Sequence, residues 1–303
     1  LRIVVFGTGT FAIPALRHLS PWVTLVVTQP DRPSGRGHKV QAGPMKLVAQ
    51  ELGLPVESPV KARDPEFVER VRREEADFLL VASYGQILSQ KLLDSATQGG
   101  INLHGSILPK YRGAAPIQRC IQAGEAETGI TLMQMDKGMD TGDIIDISRT
   151  EIGPDETYGA LQDRLALIAA SMICDWKDRL SVGDYPRVQQ DDALASMAPK
   201  IEKAEAEIRF HEPATAAYNR IRAFTPSPGP FLQTKSGLAK IKEARQGAGT
   251  GAPGTVLSIK DGLEVAMGEG SLRLLTLQPE GKKPMSGRDF ASGLRLKVGD
   301  SLI

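Results

Sequence analysis

Short runs of β-branched and aliphatic residues alternate with helical patterns through the first 150 residues, and this alternation narrows the fold more than any other feature of the chain. The runs Ile3–Phe6, Val23–Thr28, Phe78–Ala82, Gly100–His104, Ile130–Met135 and Ile144–Ser148 read as strands. Between them, Ala12–Leu19, Pro44–Leu52, Asp64–Glu75 and Ala115–Ala123 read as helices, with Asp64 before Pro65 as an N-cap followed by proline at the first helical position. Strands separated by helices form βαβ units, which require a mostly parallel sheet. The last two strands have no helix between them, so an antiparallel, hairpin-like edge is expected there. A long helix over Glu156–Leu180 follows, with Leu161, Leu165, Ile168, Met172 and Trp176 on one face.

After it the pattern changes. Residues 182–205 are polar, carry Pro186 and Pro199, and read as a linker. Beyond them one helix, Ala214–Phe224, precedes five short strands: Phe231–Gln233, Ala239–Lys242, Thr255–Ile259, Leu263–Met267 and Leu272–Leu277. Turn signals such as Lys235-Ser236-Gly237 and Asp261-Gly262 separate them, which suits a small β-barrel. The expected architecture is therefore α/β: a Rossmann-like, mostly parallel sheet domain over residues 1–181, a linker at 182–205, and a C-terminal, OB-like β-barrel over 206–303.

Composition excludes several classes. With 303 residues, 41% hydrophobic and 24% charged, the chain reads as ordinary globular protein rather than disordered. Cys120 and Cys174 are far apart with no His or Cys at ligand spacing, so neither a disulfide scaffold nor a zinc site is expected, and no metal. The opening is strand-like and no apolar stretch is long enough to span a bilayer, so a cytoplasmic location without membrane attachment is expected. Net charge is only +1, but 14 Lys+Arg against 9 Asp+Glu from Ala206 to Ile303 give that end an excess of +5. Such an excess points to an anionic partner or to a solvated surface.

Two places could carry chemistry. The first is Gly7-Thr8-Gly9-Thr10-Phe11-Ala12, formally the dinucleotide pattern G-x-G-x-x-A. The second strand should then end on an acidic residue for the ribose. It ends Val27-Thr28-Gln29-Pro30, so a tight strand-to-helix turn is the better reading. The second place is Asn102-Leu103-His104 at a strand's carboxyl end, where open α/β sheets bind ligands. Asn102 and His104 leave the same face of that strand. The tight loop Met135–Asp143 adds carboxylates, of which Asp140 and Asp143 flank the chain's return to the sheet and Asp136 reads as a turn former. An amide, an imidazole and a carboxylate suit acyl transfer to an amine. Histidine, with an ordinary pKa of about 6.5, can take the amine's proton, and an Asn N–H can stabilise the oxyanion.

The segments Asn102-Leu103-His104-Gly105-Ser106-Ile107-Leu108-Pro109 and Tyr111-Arg112-Gly113-Ala114-Ala115-Pro116-Ile117-Gln118 resemble the signature of the folate-dependent formyltransferases. Met139-Asp140-Thr141-Gly142-Asp143 is similar to the context of that family's catalytic aspartate. The resemblance implies Asn102, His104 and Asp140 as the catalytic trio, and it alone selects Asp140 over Asp143. It runs along nearly the whole chain, through Thr28–Lys39, Ala126–Gly129, Ile221–Phe224 and Leu277–Ser286, and is strongest to the branch that acts on methionyl-tRNA.

That branch implies 10-formyltetrahydrofolate as formyl donor, methionyl-tRNA as acceptor, and a monomer. The pterin slot would be lined by Tyr84, Gly85, Gln86, Ile87 and Leu88 together with Ser106, Ile107, Leu108 and Pro109. Residues 31–46 carry four basic side chains and one acidic, and the family uses this insertion to reach the tRNA acceptor end. Arg36, with Lys39 in support, is the expected contact, and Lys282 and Lys283 would lie along the acceptor arm. The competing expectations are formyl transfer to a small amine such as an amino sugar nucleotide, hydrolysis of formyl-folate, a nicotinamide-dependent oxidoreductase and a non-catalytic RNA-binding protein.

Overall fold

A computed structural model describes residues 1–34 and 39–302 of the chain. It divides into two compact units, Leu1–Pro116 with Glu127–Thr150 and Gln162–Pro199, and Ile117–Ala126 with Glu151–Leu161 and Lys200–Ile303.

In chain order the first elements are β1 (Ile3–Phe6), α1 (Ile13–Leu19), β2 (Val23–Val27), β3 (Arg32–Ser34), β4 (Lys39–Gln41), α2 (Pro44–Glu51) and β5 (Val56–Glu57). They are followed by α3 (Pro65–Arg72), β6 (Phe78–Val81), α4 (Gln90–Leu93), β7 (Gly100–His104), α5 (Pro116–Ala123), β8 (Glu127–Gln134), β9 (Ile144–Glu151) and α6 (Tyr158–Val182). Among the described residues the main sheet has seven strands in the order β5-β2-β1-β6-β7-β8-β9. The pairs β5/β2, β2/β1, β1/β6 and β6/β7 are parallel, and β8 runs antiparallel to β7. The expected Rossmann-like sheet with an antiparallel edge is what the chain forms.

The sheet's interior follows from the alternation of side chains along each strand. Val4 and Phe6 of β1 join Leu25, Val27, Leu79 and Val81 in one apolar cluster, covered by Phe67, Val68 and Val71 of α3. Ile3 and Val5 are equally buried and point to the opposite face. Each such side chain contributes about 1.5–3 kcal/mol by leaving water. The turn after β1 is tight for the same packing reason. Gly7 donates its N–H to the Val27 carbonyl at 3.0 Å, and a Cβ at Gly7 would meet Ala12 Cβ at 2.9 Å and the Ala82 carbonyl oxygen at 3.1 Å. Close helix-to-strand packing thus accounts for this glycine without a dinucleotide.

The second unit contains α7 (Ala214–Ala223), β10 (Phe231–Thr234), β11 (Gly237–Gly247), β12 (Val256–Ser258), β13 (Leu263–Ala266), β14 (Ser271–Pro279), β15 (Met285–Ser286) and α8 (Gly287–Gly293). Its antiparallel sheet runs β10-β11-β14-β13-β12, with β15 paired to β14. The sheet curls into a half-barrel, in keeping with the small β-barrel expected, and β11 carries register breaks between Ile241 and Ala244, where bulges add local twist. Inside it, Ala217, Tyr218 and Ile221 of α7 pack with Leu232, Val265 and Leu274.

Hydrogen bonds and packing explain the units' division. Arg119 of α5 forks onto Glu205 at 2.7 and 3.0 Å, and Tyr218 donates to Asp155 at 2.5 Å. These draw residues 117–126 and 151–161 to the second unit. Residues 182–199, in contrast, pack within the first.

Candidate active site

Strand β7 places its last residues at the carboxyl edge of the sheet, because Asn102 pairs with Val81 on the parallel strand β6 and His104 with Thr131 on β8. The two side chains share one face, as their spacing requires. Both are buried, at 9% and 5% exposure. The loop between β8 and β9 brings Asp140 to meet them from 38 residues away: Asn102 Nδ2 donates to Asp140 Oδ1 at 3.3 Å, and His104 Nδ1 lies 3.6 Å from Asp140 Oδ2. Asp140 sits in the left-handed region with φ 55°, which Asp tolerates better than most residues. Its Oδ2 also accepts the Gly113 N–H at 2.8 Å.

The imidazole is oriented by backbone. His104 Nε2 is 2.9 Å from the Tyr111 carbonyl oxygen, which can only accept. This partner assigns the neutral ring's proton to Nε2 and leaves Nδ1, the nitrogen facing Asp140, as the proton acceptor. The carbonyl thus orients the ring, and the carboxylate faces the nitrogen that would become charged.

The following loop is fixed from β8. Thr131 Oγ1 donates to the Ser106 carbonyl at 2.6 Å and accepts the Leu108 N–H at 3.1 Å, while Ser106 Oγ donates to the Lys110 carbonyl at 2.7 Å. Leu108 is buried and precedes a cis Pro109; Ile107 is half-buried. On the neighbouring strand's edge the segment after β6 alternates. Ser83, Gly85 and Ile87 face outward, Ile87 with 80% exposure, whereas Tyr84 and Leu88 belong to the apolar core. Tyr84 stacks edge-on against Phe6 at 5.2 Å, and burial pushes its phenol up to about 12. Its carbonyl accepts from Thr8 Oγ1 at 3.0 Å and Gln29 Nε2 at 3.2 Å. Gln86 turns away, taking the Ala62 N–H at 2.8 Å. Of the expected slot, then, Gly85 and Ile87 are exposed and Ile107 and Pro109 half-buried, whereas Tyr84, Leu88, Ser106 and Leu108 are buried and Gln86 is bonded to the Ala62 N–H.

Asp143 does not join the trio; its carboxylate pairs with Arg187 at 3.0 Å. Asp136 accepts from the Gly138 N–H and Thr141 hydroxyl, the expected turn former. Arg36 lies outside the described residues, and Lys39 begins β4 in the β3–β4 hairpin. Lys282 and Lys283 are exposed in the second unit between β14 and β15. Among the described residues no three His, Cys, Asp or Glu gather as a metal would need.

Two buried polar residues were not singled out from the sequence. Gln190 Nε2 donates to the carbonyls of Asp140 and Gly142 at 2.9 and 2.7 Å, and its Oε1 accepts from Arg112 Nε and Nη2 at 3.0 and 2.9 Å. Arg112 stands inside a quoted motif, but Gln190 falls in the polar stretch taken for a linker. The one available signal was a proline-flanked polar segment with no periodicity, which cannot distinguish a strap from a linker.

The family model for the formyl transferase matches residues 1–175, and that for the formyl transferase C-terminal domain matches residues 200–295. The chain is similar to the methionyl-tRNA formyltransferase of Geobacter metallireducens, 45% identical over 303 residues, with 99% of this chain and 97% of that one covered. It is 45% identical over 301 residues to the methionyl-tRNA formyltransferase of Myxococcus xanthus, covering 98% and 96%. Among solved structures, an N-formyltransferase from Helicobacter canadensis in complex with folinic acid and dTDP-3-aminofucose aligns with a TM-score of 0.66 at 17% identity, over 90% of this chain and 98% of that one. At that identity the likeness is one of fold.

Proposed function

The chain belongs to the formyl transferase family, and from that premise we propose that it moves the formyl group of 10-formyltetrahydrofolate to the α-amino group of methionyl-tRNA, the step that prepares the initiator for translation. The observation that carries the chemistry is the convergence of Asn102, His104 and Asp140 at the carboxyl edge of β7, with the Asp140 carboxylate 3.3 Å from the Asn102 amide and 3.6 Å from the His104 ring.

In this reading the neutral amine attacks the formyl carbon on N10 of the folate. The second N–H of the Asn102 amide stabilises the oxyanion that develops. The amine's proton passes to His104 Nδ1, whose new charge faces the Asp140 carboxylate. When the carbon–N10 bond breaks, that proton is returned to N10, so one imidazole serves as base and then acid. The Tyr111 carbonyl keeps the ring turned throughout. The folate supplies the activated formyl group. A flat ring suits exposed Ile87 and half-buried Ile107 as apolar walls, with the exposed backbone of Gly85 as a polar partner.

The acceptor reading rests on the relatives' identity and on the basic residues outside the trio. Arg36 and Lys39 would contact the acceptor end, and Lys282 and Lys283 the arm, by phosphate pairing. No helix among the described residues is long and apolar enough to cross a membrane. A cytoplasmic monomer is the form in which this activity would operate.

His104→Ala separates an enzyme from a binding protein. Turnover should fall by roughly 10²–10⁴-fold, the contribution of general acid–base catalysis, while affinity for methionyl-tRNA stays within about twofold. Retained turnover in His104→Ala would remove the imidazole from the reaction.

A further inference from the structure

The carboxylate of Asp140 has to be held in place against a backbone that disfavours it. A left-handed residue other than glycine costs about 1–2 kcal/mol, and this one lies in a turn bordered by Gly138 and Gly142. The side chain is pinned by Gly113 N–H and Asn102; the backbone is pinned by a residue 50 positions further along.

Gln190 is 7% exposed and uses its whole amide. Its two N–H groups go to the carbonyls of Asp140 and Gly142, and its oxygen takes two N–H groups from the guanidinium of Arg112. The partners settle which end of the amide is which. Reversed, it would set an oxygen against two carbonyls and an NH2 against a cation. Arg112 is itself 6% exposed and reaches Asp192 at 2.8 Å. Its backbone is bonded on both sides to the same segment, donating to the Ser196 carbonyl at 2.8 Å and accepting the Ala198 N–H at 2.7 Å. That segment begins by exchanging two backbone bonds between Val188 and Ile144, the first residue of β9. Residues 188–198 therefore run as a strap from the start of β9 to the loop after β7. Gln190 grips the Asp140 turn, and Arg112 lies next to Gly113, whose N–H takes the other side of the same carboxylate.

We infer that Gln190, anchored by Arg112, is a positioning residue that fixes the Asp140 carboxylate against His104 and Asn102. The inference rests on the proposed role of Asp140 in formyl transfer. Gln190 acts on the carboxylate through the backbone of Asp140, so its removal affects the chemical step and not the capture of either substrate.

The test is single-turnover formyl transfer by the full chain with saturating 10-formyltetrahydrofolate and methionyl-tRNA, in Gln190→Met, Asp140→Asn and the double variant. Gln190→Met should slow the maximal rate by roughly 10–100-fold, the scale of a misplacement near 1 Å, with KM for both substrates within about twofold. In the Asp140→Asn background the same change should cost less than about twofold, since both variants act through one group. Gln190→Glu has the same shape and still accepts from Arg112, but turns an oxygen toward the two carbonyls. It should lose at least as much rate as Gln190→Met, with a melting transition that remains cooperative, and it carries the test if the methionine variant does not fold. A maximal rate within twofold of the unaltered chain, a loss confined to KM, or factors that multiply in the double variant would each overturn the positioning role. Full activity in Asp140→Asn would instead overturn the reading of Asp140 on which the inference rests.

Discussion

Tyr84 shows how one residue can border a site without serving it. Its ring is part of the sheet's apolar cluster and its hydroxyl is buried with no partner among the described residues. A hydroxyl in that position contributes nothing that its desolvation does not offset, so Tyr84→Phe should leave stability at pH 7 unchanged or raise it by up to about 1 kcal/mol. The folded phenol titrates at about 12, above its ordinary value of 10.0, so its neutral form is favoured by folding. The sign follows directly. Stability is complete below pH 10 and is lost as pH rises from about 10 towards 12, and the phenylalanine variant should lose less over that window. Calorimetry across pH 7 to 11 checks both points. The KM for folate should not move, because the ring is packed in the apolar cluster; a raised KM would put the ring in the slot after all.

At the level of elements, the turn between β8 and β9 depends on one atom's worth of space. A Cβ at Gly142 would sit 1.8 Å from the Gln134 carbonyl oxygen, backbone that cannot step aside without parting the strands. Gly142→Ala should cost about 1–3 kcal/mol in denaturant unfolding and lower the transfer rate by displacing Asp140. An unchanged rate would show that the turn can move independently of the carboxylate. The same turn also marks the limit of what the sequence disclosed. Strands β1 and β6 are continuous apolar runs because both their faces are buried, and such runs stand out in any reading. Asn102 and His104 were visible for a related reason, as polar residues where burial should have excluded them. Gln190 was not. It lies in a polar stretch whose bonds go to carbonyls some 50 residues away, and nothing local requires a glutamine there. Helix α8 was missed because seven residues rich in glycine and serine carry too little period; it is held by the Ser286 cap on Asp289 N–H and by Phe290 in the core. The small β-barrel expected for the second unit is present as a curled half-barrel, whereas the register breaks within β11 leave no mark in the sequence.

Over the whole molecule the net charge is +1, so attraction to tRNA cannot come from overall charge and has to come from its distribution. The excess of 14 Lys+Arg over 9 Asp+Glu beyond Ala206 is one contributor, with Lys282 and Lys283 exposed at the turn before β15. Binding of methionyl-tRNA should therefore weaken steeply with salt, and replacing either lysine with alanine should lower the slope of log affinity against log salt by about 1. A slope unchanged in both variants would take these lysines off the tRNA path while leaving the trio untouched. The claim that joins the scales is that one cleft transfers a formyl group and that its acceptor is a charged tRNA. The most direct measurement is transfer of labelled formyl from 10-formyltetrahydrofolate with methionyl-tRNA, free methionine and an amino sugar nucleotide as parallel acceptors. Label on methionyl-tRNA alone is the predicted result; label on the sugar nucleotide or released as free formate would contradict it.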